Sequence, residues 1–336
     1  MLLGRQTWLF NQKPKIISTG TVGGPIESEG KLADDFDLLH KDLFMKQPSF
    51  EQAEQQLIED ACKIAIQKQK MRFEDVNFFL SGDLVNQMTP TNFAARNNKI
   101  PFLGISNACA TSTGALALAS YFVDTNGADF VLTGTGSHHG AVEKQFRYPT
   151  DYGAQKPPTS QWTVTGAGVG LVSKIGTGPE ITSATIGKVV DLNQSDPLNM
   201  GAAMAPAAVD TISTHLAERA VDVNYYDLIV TGDLGEIGNS IALEMLQDQG
   251  IQINENKFKD CGLMLYKSNQ EVFAGGSGAG CSAVVTYGHL WKKMNNKQLN
   301  KILIVATGAL LSPLSASQNQ SIPTIAHAVS IENGGV

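Results

Sequence analysis

Three things this sequence has little of decide what it is not. Positive charge is short: 25 Lys and Arg stand against 32 Asp and Glu in 336 residues, a formal net charge of −7. A nucleic-acid binder needs a basic stripe to neutralise phosphates, and an anionic membrane does not attract an acidic surface, so neither is expected as a direct electrostatic partner. Long apolar runs are missing, since none approaches the roughly 18 to 20 residues that span a bilayer. Residues 1–8 also lack the cationic-then-apolar order of an export signal, so a soluble chain is expected. Cysteine is sparse. Cys62, Cys109, Cys261 and Cys281 are too few and too scattered for a disulfide framework or a paired-Cys zinc site. What remains, with 42% hydrophobic and 17% charged residues, is an ordinary globular chain able to bury a large core.

Glycine, by contrast, is plentiful, with 33 residues often beside Ser, Thr or Ala, a composition suited to tight turns and close backbone packing. The chain also uses one pattern twice. Residues 49–70 read as a helix, with Ser49 and Gln52 spaced as a capping box and Ala53, Leu57, Ala61, Ile64 and Ala65 at helical spacing. Asp75-Val-Asn, a strand at 78–80 and the turn Ser81-Gly-Asp83-Leu follow. A helix over about 206–220, Asp222-Val-Asn, a strand at 228–230 and Thr231-Gly-Asp233-Leu repeat that order. A second element recurs as well. Asn107-Ala-Cys109 leads into a small-residue helix over 110–121 and a strand at 129–134, and Gly278-Ala-Gly-Cys281 leads into a helix to about 294 and a strand at 302–308. Strand, small-residue turn, helix and apolar strand make β-α-β units, whose strands are covered on both faces. The expected architecture is one integrated α/β domain of two duplicated halves, 1–175 and 176–311, with 312–336 as a C-terminal extension.

Cys109 stands at a helix start, where unsatisfied backbone N–H groups and the helix dipole favour a thiolate. Free cysteines are nonetheless mostly buried and inert. A thiolate acyl-transfer enzyme also needs groups that move protons and hold an oxyanion, usually His with His or Asn.

Asn107-Ala-Cys109-Ala-Thr-Ser-Thr-Gly resembles the nucleophile motif of the thiolase superfamily, in particular the ketoacyl synthase III type. Thr165-Gly-Ala-Gly-Val-Gly resembles its Gly-rich strand before the midpoint. The resemblance implies a five-layer αβαβα fold and a homodimer. It also exposes two departures. Condensing enzymes of the family carry a catalytic His just after the strand matching 228–230 and an Asn or His in the turn matching Gly275-Gly276-Ser-Gly; here Thr231-Gly232-Asp233 and only Gly and Ser stand there. Carbon–carbon bond formation is therefore not expected. Gln155 to Trp162, Asp233-Leu-Gly-Glu-Ile-Gly, Gly275-Gly-Ser-Gly-Ala-Gly-Cys and Ser321-Ile-Pro-Thr-Ile-Ala-His327 further resemble the stage V sporulation protein AD family of endospore formers. That resemblance implies a non-enzymatic protein that binds dipicolinic acid, with or without calcium, and supports its uptake into the spore. It implies a peripheral location at the spore inner membrane, beside the other proteins of a channel assembly. No cofactor is implied. The alternative is an acyl-CoA-dependent acyl transferase using Cys109.

On this reading the ligand-binding residues are Cys109, Asp83, His138, Arg147, Thr165, Asp233 and Gly276. His138 follows a strand at its carboxyl end, although a His-His pair in a loop is commonly surface. Asp83 and Asp233 hold equivalent turn positions, where Asp often bonds only its own backbone; beside a dianion either would repel unless protonated or bridged by a cation. Arg147 is the best carboxylate partner because its fork binds bidentately, with Lys144 and Lys156 as lesser candidates. Gly134-Thr-Gly and Gly278-Ala-Gly miss the dinucleotide spacing, 275–279 misses the nucleophile-elbow pattern by its last residue, and 124–127 is too short for a calcium loop. Lys292, Lys293, Lys297 and Lys301 suit the end of a helix dipole.

Overall fold

A computed structural model describes residues 1–146 and 156–334. The first half runs β1 (Lys15–Gly23), α1 (Phe50–Lys68), β2 (Phe78–Gly82), α2 (Thr89–Asn98), β3 (Phe102–Gly104), α3 (Thr111–Asp124), β4 (Phe130–Ser137), α4 (His139–Phe146) and β5 (Gly166–Ser173). The second runs β6 (Glu180–Ile186), α5 (Met200–Arg219), β7 (Leu228–Thr231), α6 (Gly235–Asp248), β8 (Phe258–Asp260), α7 (Cys261–Leu265), α8 (Ala279–Val284), β9 (Lys301–Ala309) and β10 (Thr324–Glu332). The strand order is β1-β5-β4-β2-β3 in one half and β6-β10-β9-β7-β8 in the other. The duplication read from repeated motifs is therefore a duplication of sheet topology.

In both halves the two outer pairings are parallel and the two next to the first strand are antiparallel. The sheets meet through one pairing, Lys15 with Glu180. Helices α3 and α8 lie between them, α1 and α2 cover the outside of one, and α5 and α6 cover the outside of the other. This is a five-layer thiolase-type α/β fold. The expected extension, 312–336, is not an appendage over its described residues: β10 pairs with β6 on one side and β9 on the other, filling the place in the second half that β5 fills in the first.

Local chemistry accounts for the elements. The Ser49 hydroxyl accepts the Gln52 N–H at 3.2 Å to cap α1, whose Ala53, Leu57, Ile58, Ala61 and Ala65 are buried. Helix α5 begins at Met200, upstream of the expected start at Pro206; the proline lies inside the helix and costs it one backbone bond within an alanine-rich, buried turn. Helix α8 continues through a π turn, Val285–Leu290, into Trp291–Asn295. At that end Lys292 reaches across to Asp34 and Asp35, and Lys301 lies over the Tyr225 ring, so both serve tertiary contacts rather than the helix dipole.

The central layer is close-packed by backbone contact. A Cβ on Gly168 of β5 would lie 2.4 Å from the Ala283 backbone of α8, so this strand has no room for a side chain at that point. We expect Gly168→Ala to destabilise the fold by about 1–3 kcal/mol through overpacking, read as a melting temperature several degrees lower in calorimetry. An unchanged melting temperature would mean that the two layers are not in backbone contact there.

Candidate functional site

The turn from β3 to α3 carries Cys109 in a single 3₁₀ turn, Ala108–Ala110. Ala108 adopts a left-handed φ of 49°, a costly conformation for a residue with a Cβ. A Cβ on Gly308 of β9 would stand 2.6 Å from the Asn107 carbonyl, so a strand of the second half presses directly on the turn of the first. Half-buried Cys109 thus faces the junction between the halves.

Asp233 meets it there. This carboxylate is fully buried at the end of β7 and is hydrogen-bonded by the Cys109 thiol. Its Oδ1 accepts from Thr307 Oγ1 at 2.8 Å, and its Oδ2 accepts from Ser277 Oγ at 3.0 Å and the Gly278 N–H at 3.1 Å. Burial raises its pKa, and the hydrogen bonds from Thr307, Cys109, Gly278 and Ser277 counter only part of that. Behind it lies Asp260, held at about 6 first by burial, although Thr231, Leu234, Gly235 and Gly262 all donate to it. Gly232, the position where the superfamily resemblance places a histidine, has no space for one: a Cβ there would lie 2.9 Å from Ala306 Cα. From this strand end it is Asp233, and not residue 232, that addresses the thiol.

Cys109 opens into a cavity of about 370 Å³, within the range of small-molecule sites. Its walls are mainly apolar, with Leu84, Val85, Met88, Met200, Met204 and Leu311, and Thr163, Ser277 and Gly278 line it as well. None of the described lining residues is Lys, Arg or His.

Of the residues singled out from sequence, Cys109 and Asp83 line this cavity, and Asp233 is bonded to the lining residues Ser277 and Gly278. Asp83 spends both oxygens on its own loop, accepting from the N–H of Val85 at 2.8 Å and from the N–H and hydroxyl of Thr91 at 2.8 and 2.6 Å. Three candidates lie elsewhere. His138 is neither at the surface nor in the cavity: its Nε2 donates to the Leu43 carbonyl at 2.8 Å, Nδ1 accepts from Gly140, and the ring stacks on Phe50. Burial lowers its pKa, consistent with a neutral structural ring. Thr165 gives its N–H to Glu27 and takes the His139 N–H on its hydroxyl. Gly276 is buried, paired in register with Trp162 and packed against Tyr266; its neighbour Ser277 is the residue that reaches the site. Arg147 lies outside the described residues. Lys144 pairs with Glu51 and Lys156 with Glu143.

Sequence reasoning missed Thr163, Ser277, Thr307 and the three wall methionines. Ser277 was within reach, because it sits in the quoted glycine turn. The methionines carry no local signal.

The family model for stage V sporulation protein AD matches residues 4–332. This chain belongs to that family. It is 47% identical to the Bacillus subtilis (strain 168) stage V sporulation protein AD over 334 residues, covering 99% of this chain and 98% of that one. Two solved structures share the fold. The 3-oxoacyl-[acyl-carrier-protein] synthase III of Aquifex aeolicus VF5 superposes with a TM-score of 0.61 at 14% identity, over 95% of this chain and 100% of that one. Human mitochondrial 3-ketoacyl-CoA thiolase gives 0.59 at 12% identity, over 96% and 99%. The chain is thus a sporulation protein built on a condensing-enzyme fold. Among the described residues no helix is long and apolar enough to cross a membrane.

Thr165 is explained by Glu27, a fully buried carboxyl that joins the two halves. Glu27 Oε1 accepts from the Thr165 N–H at 3.1 Å and from the Tyr266 hydroxyl, while Oε2 has no partner among the described residues. Burial, opposed by those bonds, lifts its pKa from 4.5 to about 7. The folded state then keeps a proton that the unfolded chain has lost, so this contribution is intact below about pH 4.5 and is lost as pH rises through 7. At 1.36 kcal/mol per pH unit the full effect is about 3 kcal/mol. We expect a melting temperature that falls between pH 5 and pH 8, less steeply in Glu27→Gln. Asp260, Asp83 and Asp233 shift in the same direction and leave a residual slope. Equal slopes for the variant and the parent would contradict the assignment.

Proposed function

We propose that this protein is not an enzyme but a binder of dipicolinic acid, a pyridine dicarboxylate, and that it supports the uptake of that ligand into the developing spore. The observation that carries this reading is the cavity at Cys109, where the thiol meets a carboxylate already engaged by three other donors instead of an imidazole. An imidazole can take a proton from a thiol and return it to an oxyanion or leaving group. Asp233, whose lone pairs are already engaged by Thr307, Ser277 and Gly278, is a weaker base toward the thiol than an imidazole. A flat aromatic ring suits the methionine and leucine walls, and the hydroxyl of Thr163 offers a neutral hydrogen bond to one of its carboxylates, while that of Ser277 is spent on Asp233. Family membership supports the setting: a peripheral place at the spore inner membrane among the other proteins of a channel assembly.

Charge sets a condition on binding. With two aspartates at the cavity and no cationic side chain among the described lining residues, a dianion needs positive charge from a proton, from bound calcium, or from Arg147. Calorimetry at pH 8 should show the 1:1 calcium chelate binding at least tenfold tighter than free dipicolinate. Equal affinities, together with a large loss in Arg147→Ala, would assign the charge to the arginine. Cys109→Trp fills the cavity and should abolish binding of either form; retained affinity would remove the ligand from this site altogether.

A second reading, an acyl-CoA-dependent acyl transferase, rests on the Cys109–Asp233 hydrogen bond, which gives the thiol one basic neighbour. Intact-protein mass spectrometry after incubation with acyl-coenzyme A discriminates, since a stable adduct on Cys109 supports the transferase and its absence the binder.

We also propose a homodimer formed through β3. That strand ends the sheet, and Leu103 is 44% exposed on it. Pro101 and Ile105 direct their backbone bonds to β2, which by alternation turns those of Phe102 and Gly104 outward. Light scattering should give twice the chain mass for the parent and the single-chain mass for Leu103→Asp; a monomeric parent would end this proposal.

A further inference from the structure

The first half carries a segment that the second half lacks. In the second half β7 ends at Thr231, Asp233-Leu234 makes the turn, and α6 begins at Gly235. In the first half β2 ends at Gly82 and Asp83-Leu84 makes the equivalent turn, but α2 begins only at Thr89. Val85–Met88 is therefore an insertion into one copy of a duplicated turn, and all four of its residues line the Cys109 cavity.

The inserted backbone is strained. Gln87 and Met88 are consecutive left-handed residues, with φ of 56° and 54°, and neither is a glycine. Such a pair persists only where the surroundings impose it. Among the described residues the hydrogen bonds of Val85–Met88 all close within 83–92: the Met88 N–H donates to the Val85 carbonyl, Thr89 Oγ1 to the Asn86 carbonyl and Asn92 Nδ2 to the Gln87 carbonyl. One side chain holds both ends. Asp83 Oδ1 accepts from the Val85 N–H where the segment leaves the turn, and Oδ2 accepts from the N–H and hydroxyl of Thr91 where it has entered α2. Met88 rests on two glycines, its Sδ 3.2 Å from where a Cβ would stand on Gly82 and its Cε 2.7 Å from where one would stand on Gly104. Asn86 and Gln87 at the tip are exposed.

We propose that Val85–Met88 is a gate over the Cys109 cavity and that the Asp83 carboxylate is its latch. In the closed state one carboxylate and the seated methionine hold the segment against the strain of its own backbone. Released from Asp83, the segment relaxes and lifts Met88 from its glycines, which widens the mouth. Asp83 is then a positioning residue that governs entry without bonding the ligand, a role that suits a cavity-lining carboxylate with both oxygens spent on its own loop. As a route for a ligand, the gate rests on the reading of the Cys109 cavity as the binding site.

Cys109 itself can report the opening, because the other three cysteines are fully buried. The full chain is labelled with N-methylmaleimide or with the much larger N-pyrenylmaleimide, and Cys109 adducts are followed by mass spectrometry. The ratio of the two rates, referred to free cysteine, cancels the intrinsic reactivity of the thiol. The parent should favour the small reagent at least tenfold, and Asp83→Asn, which keeps the shape but trades an acceptor for a donor, should remove most of that preference. Gln87→Asn and Gln87→Val are close in size at an exposed position, yet asparagine tolerates a left-handed φ and valine does not. The valine variant should therefore take the large reagent several-fold faster than the asparagine variant. Hydrogen exchange at the Val85 and Thr91 amides should quicken in Asp83→Asn while Leu234 and Gly235, in the equivalent turn, keep the parent rate. No size preference in the parent, a ratio unmoved by Asp83→Asn, or equal rates for the two Gln87 variants would overturn the proposal. Equal quickening at both turns would mean general loosening and overturn it as well. Neither readout uses dipicolinate, so a failed gate leaves the ligand reading standing, and a working gate on a chain that does not bind dipicolinate removes that reading alone.

Discussion

The carboxylate of Asp233 is the point on which the rest of the site depends. It gathers Cys109 from the first half and Thr307 and the adjacent Ser277 and Gly278 from two separate segments of the second, so the halves are fixed to each other where they enclose the cavity. A buried carboxyl is costly unless its lone pairs are used, and here four donors use them. The same bonds that make the site rigid engage the carboxylate that faces the thiol.

The two halves show how such an arrangement arises. Asp83 and Asp233 follow equivalent strands, and each closes a turn before a helix. Asp83 stays local, bonding Val85 and Thr91, whereas Asp233 leaves its own turn to Asp260, which accepts from Leu234 and Gly235. The second half thus has an extra buried acid doing the work that Asp83 does alone in the first. Asp233 is thereby free to reach across the interface.

Much of this was legible in the sequence, for identifiable reasons. Repeated turn motifs and apolar strands have fixed local periods, so the duplicated α/β plan and the position of Cys109 could be read directly. The role of the last strand could not, because the place of β10 in the sheet depends on pairing with β6, some 140 residues earlier, and nothing local encodes it. His138 was misplaced for a related reason. Its strand does end at the correct edge, but the ring turns to Phe50 and the Leu43 carbonyl, partners about 90 residues away or more in sequence. The glycine turn was read one residue early: Gly276 marks the close approach, while Ser277 carries the hydroxyl.

The position of β10 also bears on how the molecule comes into being. Strand β10 follows β6 and β9 in sequence yet lies between them in the sheet, and they cannot come together without it. During synthesis the first half can close once β5 has emerged, but the second remains an unfinished sheet with two exposed inner edges until β10 has left the ribosome. For that interval the nascent chain carries its greatest aggregation hazard in segments that are fully buried in the finished protein.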